Sequence, residues 1–331
     1  MPKTIHFLLL FATIFPAATR AQQDPMFTKY IFNSLIFNPA YAGSREHLSL
    51  NVIHRQQWIG LEGAPVTQSL TAHSPLRNQR AAVGFSLVND QAGATGTATL
   101  NASYAYRFPL GDGLKLAIGL QGGAGNWRGD WTKLSLENPV DVAFQNNLNR
   151  WLPNFGTGVY LSSTRFYAGF SCPSMLEYDL RKADNGNDAV FSKNYRHYYT
   201  TIGGAIPLRS EMVVLRPSLL LKTTGLFSGF RSDAAFRNIG SPTELDVDIS
   251  LFFFETFWVG AAFRSALELR NSSTDSADFW AAWHLRNGLR IGAAYDVPLS
   301  PIRKTTNGSF EVMLGYDFDI KVRNVATPRY F

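Results

Sequence analysis

Cysteine is nearly missing from this chain: Cys172 stands alone among 331 residues. No intrachain disulfide can form, and dithiol redox chemistry is excluded. Charged residues are also scarce, at 17%, where an ordinary soluble domain carries about 25%. No later segment holds the roughly 18 unbroken apolar residues that a transmembrane helix needs. Like charges never cluster, so the net charge of +6 is spread thinly and does not mark a nucleic-acid binder. Internal repeats, low-complexity tracts and linkers are absent too, and one folded domain is the economical reading. The chain is rich in aromatics (14%) and has 27 glycines among 45% hydrophobic residues. That balance suits a barrel of the outer membrane.

The first residues set the compartment. Lys3 gives a positive start, Phe7 to Ala18 is a short apolar run, and Thr19-Arg20-Ala21 places small residues where cleavage needs them. This pattern predicts a Sec signal peptide over residues 1–21, with the cut at Ala21/Gln22. Its removal takes away Lys3 and Arg20 and no acid, lowering the net charge from +6 to +4. Residues 22–45 do not alternate, and Pro39 and Gly43 mark turns. They are expected to form a periplasmic or lumen-plugging lead-in, with Asn38, Pro39 and Tyr41 as its central residues.

From residue 46 to 319 the chain reads as strands. The last one is the clearest: Phe310, Val312, Leu314, Tyr316 and Phe318 fall on one parity, and Glu311, Met313, Gly315 and Asp317 on the other. A period of two with one apolar face and aromatics at its ends suits a membrane strand. About fourteen such segments follow one another, and their connections alternate in length. Short ones centre on residues 76–79, 109–113, 162–164, 207–210, 254–255 and 286–288. Long ones are expected at 57–65, around Asn89, Asp90, Gly93 and Gly96, and at 128–152, 173–195, 223–244, 265–277 and 298–308. The predicted fold is therefore all-β, a transmembrane up-and-down antiparallel β-barrel. Both termini and the short turns lie in the periplasm and the long loops lie outside. Residues 320–331 form a tail.

Chemistry leaves few marks. His54, His73, His197 and His284 lie on strands among polar neighbours and are expected to face the lumen; none has zinc-site spacing. Ser69 and Ser74 flank His73 without a nucleophile-elbow motif. Arg128-Gly129-Asp130 is a chance-level match to an adhesion tripeptide. Gly119, Gly123 and Gly125 fit either a pore or close strand packing. No catalytic, metal or cofactor site is predicted. The loop of Gln57, Trp58, Gly60, Gly63 and Pro65, entered through Arg55, reads as a stiff hairpin tip or as a partner-docking surface.

Several runs carry a resemblance. Gln23-Asp24-Pro25-Met26-Phe27-Thr28-Lys29-Tyr30, Asn38-Pro39-Ala40-Tyr41-Ala42-Gly43 and Arg55-x-Gln57-Trp58-x-Gly60-x-x-Gly63-Ala64-Pro65 are similar to the start of mature PorP/SprF-family proteins. Tyr104-Ala105-Tyr106-Arg107, Arg196-His197-Tyr198-Tyr199, Arg216-Pro217-Ser218, Tyr295-Asp296-x-Pro298-Leu299-Ser300 and Pro328-Arg329-Tyr330-Phe331 extend the likeness over the mature chain. One departure is Ser309-Phe310-Glu311, where the family pattern has Ser-His-Glu. The resemblance implies a non-enzymatic outer-membrane component of type IX secretion and gliding motility in Bacteroidota. It would bind a large exported surface protein, an adhesin, through its C-terminal domain, and meet periplasmic ring or motor components. A passive channel for small solutes is the alternative, distinguished by ion conductance.

Overall fold

The computed structural model describes residues 27–77, 79–133, 147–179, 193–209, 212–224, 226, 243–267 and 273–318. The proposed signal peptide, the C-terminal tail and its Pro-Arg-Tyr-Phe motif lie outside them.

The period-two segments are strands, and their order in the sheet follows the sequence. Strand β1 (Ser49–Gln56) is followed by β2 (Val66–Pro75), β3 (Ala81–Ala92), β4 (Thr95–Gly111), β5 (Leu114–Gly129), β6 (Leu148–Ser162) and β7 (Phe166–Cys172). A small pair, β8 (Tyr178–Asp179) and β9 (Lys193–Asn194), stands apart. Strands β10 (His197–Gly204) and β11 (Ile206–Arg209) share one place in the wall. The wall continues with β12 (Val213–Thr224), β13 (Thr243–Phe253), β14 (Phe257–Leu267), β15 (Ser273–His284), β16 (Leu289–Pro298) and β17 (Ser309–Asp317). β10 bonds to both β7 and β12. β1 bonds to β17 from Ser49↔Asp317 to Gln56↔Phe310. The ring of fourteen antiparallel strands is thus closed, each strand having a bonded neighbour on both sides, as a lipid-embedded sheet requires.

Parity sorts the side chains. On β17, Val312, Leu314 and Tyr316 point outward and are exposed, while Glu311, Met313 and Asp317 point inward and are buried. Along β1 the inward set is Ser49, Asn51, Ile53 and Arg55. An outside that is greasy and an inside that is polar is the pattern of a barrel surrounded by lipid.

The connections at one end are short, at 76–80, 112–113, 163–165, 210–212, 254–256 and 285–288. At the other end most are longer, and strands reach into several of the loops expected there, β14 and β15 into 265–277 among them. Asn89, Asp90 and Gly96 do not form a loop, because β3 runs to Ala92 and β4 starts at Thr95. The ladder continues past the apolar band since paired backbone groups satisfy each other in water or lipid alike. For the same reason β5 extends to Gly129 and β6 starts at Leu148, inside the stretch expected to be irregular. At 17, 16 and 15 residues, β4, β5 and β6 exceed the roughly 9–11 residues that span a bilayer.

Candidate functional site

The lumen is occupied by the chain's own residues 27–47. Two 3-10 turns, Tyr30–Phe32 and Pro39–Tyr41, flank a single helical turn, α1 (Ser34–Phe37). Asn38 caps the second of them, its side-chain oxygen accepting from Ala40 N at 2.9 Å, and Pro39 at the first position presets φ. Asn38, Pro39 and Tyr41 are all buried. They pack against wall residues, Pro39 beside Gly119, Asn38 beside Gly158 and Tyr41 beside His73.

Acidic wall residues grip the upper part of this segment, nearest the long connections. Glu311 accepts from the backbone N–H groups of Thr28 (2.7 Å) and Lys29 (3.1 Å). Lys29 Nζ lies 2.9 Å from Asp248 Oδ2, which also accepts from Trp280 Nε1 at 2.8 Å. Asp296 accepts from Thr28 Oγ1 at 2.9 Å and pairs with Arg55 at 2.6 Å. Arg264 pairs with Asp246 at 2.7 Å and donates to the Phe27 carbonyl at 3.1 Å. Buried charges survive only when paired and hydrogen-bonded in this way.

The middle of the segment is held by shape. Phe32 sits edge-on to Trp258 and Trp280, at centroid distances of 5.0 and 5.3 Å, the favoured geometry for aromatic pairs. Pro39 and Ala40 lie against Gly119, where a Cβ would come within 2.2 Å of Ala40 N. Asn38 lies against Gly158 in the same manner and donates to the Val159 carbonyl at 2.9 Å. Gly119 therefore makes room for the segment and not for a pore. A Gly119→Val variant should lose about 1–3 kcal/mol by overpacking, read as a lower urea midpoint in detergent, whereas Gly122→Val, which meets nothing within 4 Å, should not.

At the short-turn end the segment is fastened again. Arg107 donates to the Gly43 carbonyl at 2.7 Å, and Gly43 N donates to His73 Nδ1 at 3.1 Å. Asp317 gathers Arg45 (3.3 Å), His47 (3.3 Å), Ser49 (2.6 Å) and Arg290 (3.0 Å). The chain thus descends from the long-connection half, where Phe27 lies, and joins β1 at the short-turn end.

The six residues singled out for docking are not together. Arg55 is 2% exposed and faces inward with the parity of Asn51 and Ile53, so it belongs to the lumen cluster. Gln57, Trp58, Gly60, Gly63 and Pro65 form a clasped rim loop. Gln57 N donates to the Pro65 carbonyl at 2.9 Å, and Trp58 N to Ser309 Oγ at 3.1 Å. Ile59 exchanges backbone bonds with Gly308 and Asn307 at 2.7 and 2.8 Å, and Gly93 N donates to the Gly63 carbonyl at 2.8 Å. Gly60 and Gly63 take φ of +94° and +71°, which glycine adopts without strain.

Of the four histidines expected in the lumen, His73, His197 and His284 face it, and His54 does not. His54 shares the outward parity of Leu50 and Val52. Ser69 accepts from Asn33 Nδ2 at 3.0 Å, so it and His73 are occupied in holding the segment. Arg128 donates to Asn89 at 3.2 Å, while Asp130 accepts from Thr132 at 2.6 Å and Asn147 at 3.2 Å. Asp248, Arg264 and Arg290 were missed by sequence reasoning. Their signal was available: charges on membrane strands face the interior and find partners there.

Among solved structures the chain is similar to the outer membrane protein Omp33 of Acinetobacter baumannii, with 9% identity, a TM-score of 0.46, and 82% of this chain and 98% of that one covered. It is also similar to a FadL homologue of Pseudomonas aeruginosa, with 13% identity, a TM-score of 0.46, and 86% and 94% covered. These likenesses are too distant to add to what the strand register shows. Among curated proteins none matches the chain. The sequence does match, over residues 19–316, the family described as type IX secretion system membrane protein PorP/SprF. The chain belongs to the PorP/SprF family, as a non-enzymatic outer-membrane barrel with a role in type IX protein translocation.

Proposed function

We propose that this barrel is a docking station for a large exported surface protein, an adhesin, held through its C-terminal domain at the long-connection rim. The observation that carries this reading is the filled lumen. Residues 27–47 are bonded to the wall at both ends, and beside them lie a cavity of about 90 Å³ at the short-turn end and two of about 10 Å³, room for a few waters and not for a solute path. A filled interior leaves the rims as working surfaces, and it speaks against a passive channel. The clasped rim loop presents Leu61, and the neighbouring connection presents Leu299, both exposed. Apolar side chains on a stiff support suit an interface that orders little on binding. Periplasmic ring or motor components would meet the short-turn end. Delivery would use the Sec signal of residues 1–21.

The test is affinity capture of the tagged barrel from outer membranes in mild detergent, with co-purifying proteins identified by mass spectrometry. A large surface protein should accompany the native barrel. A Leu61→Glu/Leu299→Glu double variant should lose it by about tenfold or more, equal to some 1.4 kcal/mol, while keeping its fold. Recovery of the barrel alone, together with ion conductance in planar bilayers, would overturn the docking reading in favour of a channel.

A further inference from the structure

The outer wall carries a trough. Neighbouring strands place their outward side chains in cross-strand rows, and three successive rows on β14–β17 and β1 differ sharply in size. The lower row, toward the short turns, is Phe257, Trp283, Ile291, Leu314 and Val52. The upper row holds Phe279, Tyr295 and Phe310. Between them run Val259, Ala281, Ala293, Val312 and His54. The small residues of this middle row, set against the lower ridge, leave a cavity of about 550 Å³, open on the lipid side and lined by Trp283, Ile291, Ala281, Ala293 and His54 among others. That lies within the roughly 300–1,000 Å³ that seats a drug-sized ligand.

The polarity of the middle row changes along its length. Past Val312 it reaches His54 and then Gln68 on β2 and Asn89 on β3, all outward. His54 touches the Phe310 ring at 6.0 Å, and among the described residues its nitrogens have no hydrogen-bond partner. Strands in a membrane barrel tilt by roughly 35–45°, so a row crossing them passes from the hydrocarbon into the polar interface. The trough is apolar at the β14 end and ends at His54, with Gln68 next beyond it in the row.

We infer that this trough is a seat for one phospholipid, with an acyl chain along Ala281 and Ala293 and its phosphate or ester oxygens at His54 and Gln68. The occupant follows from continuity, because the trough opens within the belt that the bilayer already covers, and from polarity, because only an amphiphile matches both ends. Filling the trough places larger apolar groups on the lipid face, a change that the fold tolerates.

The experiment is native mass spectrometry of the full-length barrel, delipidated, exposed to vesicles of palmitoyl-oleoyl phosphatidylglycerol and re-extracted in detergent. The native barrel should retain one phospholipid. An Ala281→Leu/Ala293→Leu variant should retain about tenfold less, and His54→Leu should also lose retention, while Ala102→Leu elsewhere on the belt should match the native barrel. Equal retention by native and filled barrels would overturn the inference. So would a second copy of the barrel in the complex that the same filling removes, since the trough would then be a protein contact.

Discussion

Replacing Asp317 with alanine should cost the barrel about 3–5 kcal/mol, the range for stripping one partner from a buried ion pair. The carboxylate sits at the meeting point of the lead-in, the first strand and the last. Arg45, His47, Ser49 and Arg290 all converge on it, and the Arg290 side chain is 3% exposed. Without Asp317 that guanidinium keeps its desolvation penalty and loses its counter-charge. Asp317→Asn should cost less, because an amide oxygen still accepts from Ser49. Urea unfolding in detergent, followed by tryptophan fluorescence, measures both. A double variant Asp317→Ala/Arg290→Met should recover part of the loss, because the buried charge is then removed with its partner.

Deleting residues 27–43 should turn a silent barrel into a conducting one. The segment fills the interior with Phe27, Tyr30, Phe32, Phe37 and Tyr41, all buried. Its removal would leave a ring of carboxylates and guanidinium groups, Asp246, Asp248, Arg264, Asp296 and Glu311 among them, and such groups draw in water. Planar-bilayer recordings should show stepwise ion conductance for the deletion and none for the native chain. Native-like conductance in both would show that the lumen segment does not close the barrel.

The wall was legible from the sequence, and its contents were not. Period-two alternation places a residue on one face or the other from its position alone, which is why the face of Glu311 and Asp317 could be read directly. The same parity, applied to β1, sends Arg55 inward beside Asn51. Its grouping with the rim loop followed the contiguous motif and not the pleat. The loop around Gly93 reads too wide because Asn89, Asp90 and Gly96 look like loop residues by composition, yet they keep their ladder partners. The lead-in was harder still. A segment without periodicity reveals no face, and its partners lie far away in the chain, Thr28 and Glu311 being 283 positions apart.

That separation governs the order in which the protein can be assembled. The lumen segment continues directly into β1, and β1 closes the ring against β17. The hairpins from β2 onward are local and need little loop closure, whereas the contacts of Thr28 and Lys29 with β13, β16 and β17 demand the longest. Capture of the N-terminal segment and zipping of the first strand to the last should therefore both come late. Until then, β1 and β17 are unsatisfied edges. Folding of this barrel is gated at its two ends, and the growing wall must stay open until the last strand has emerged.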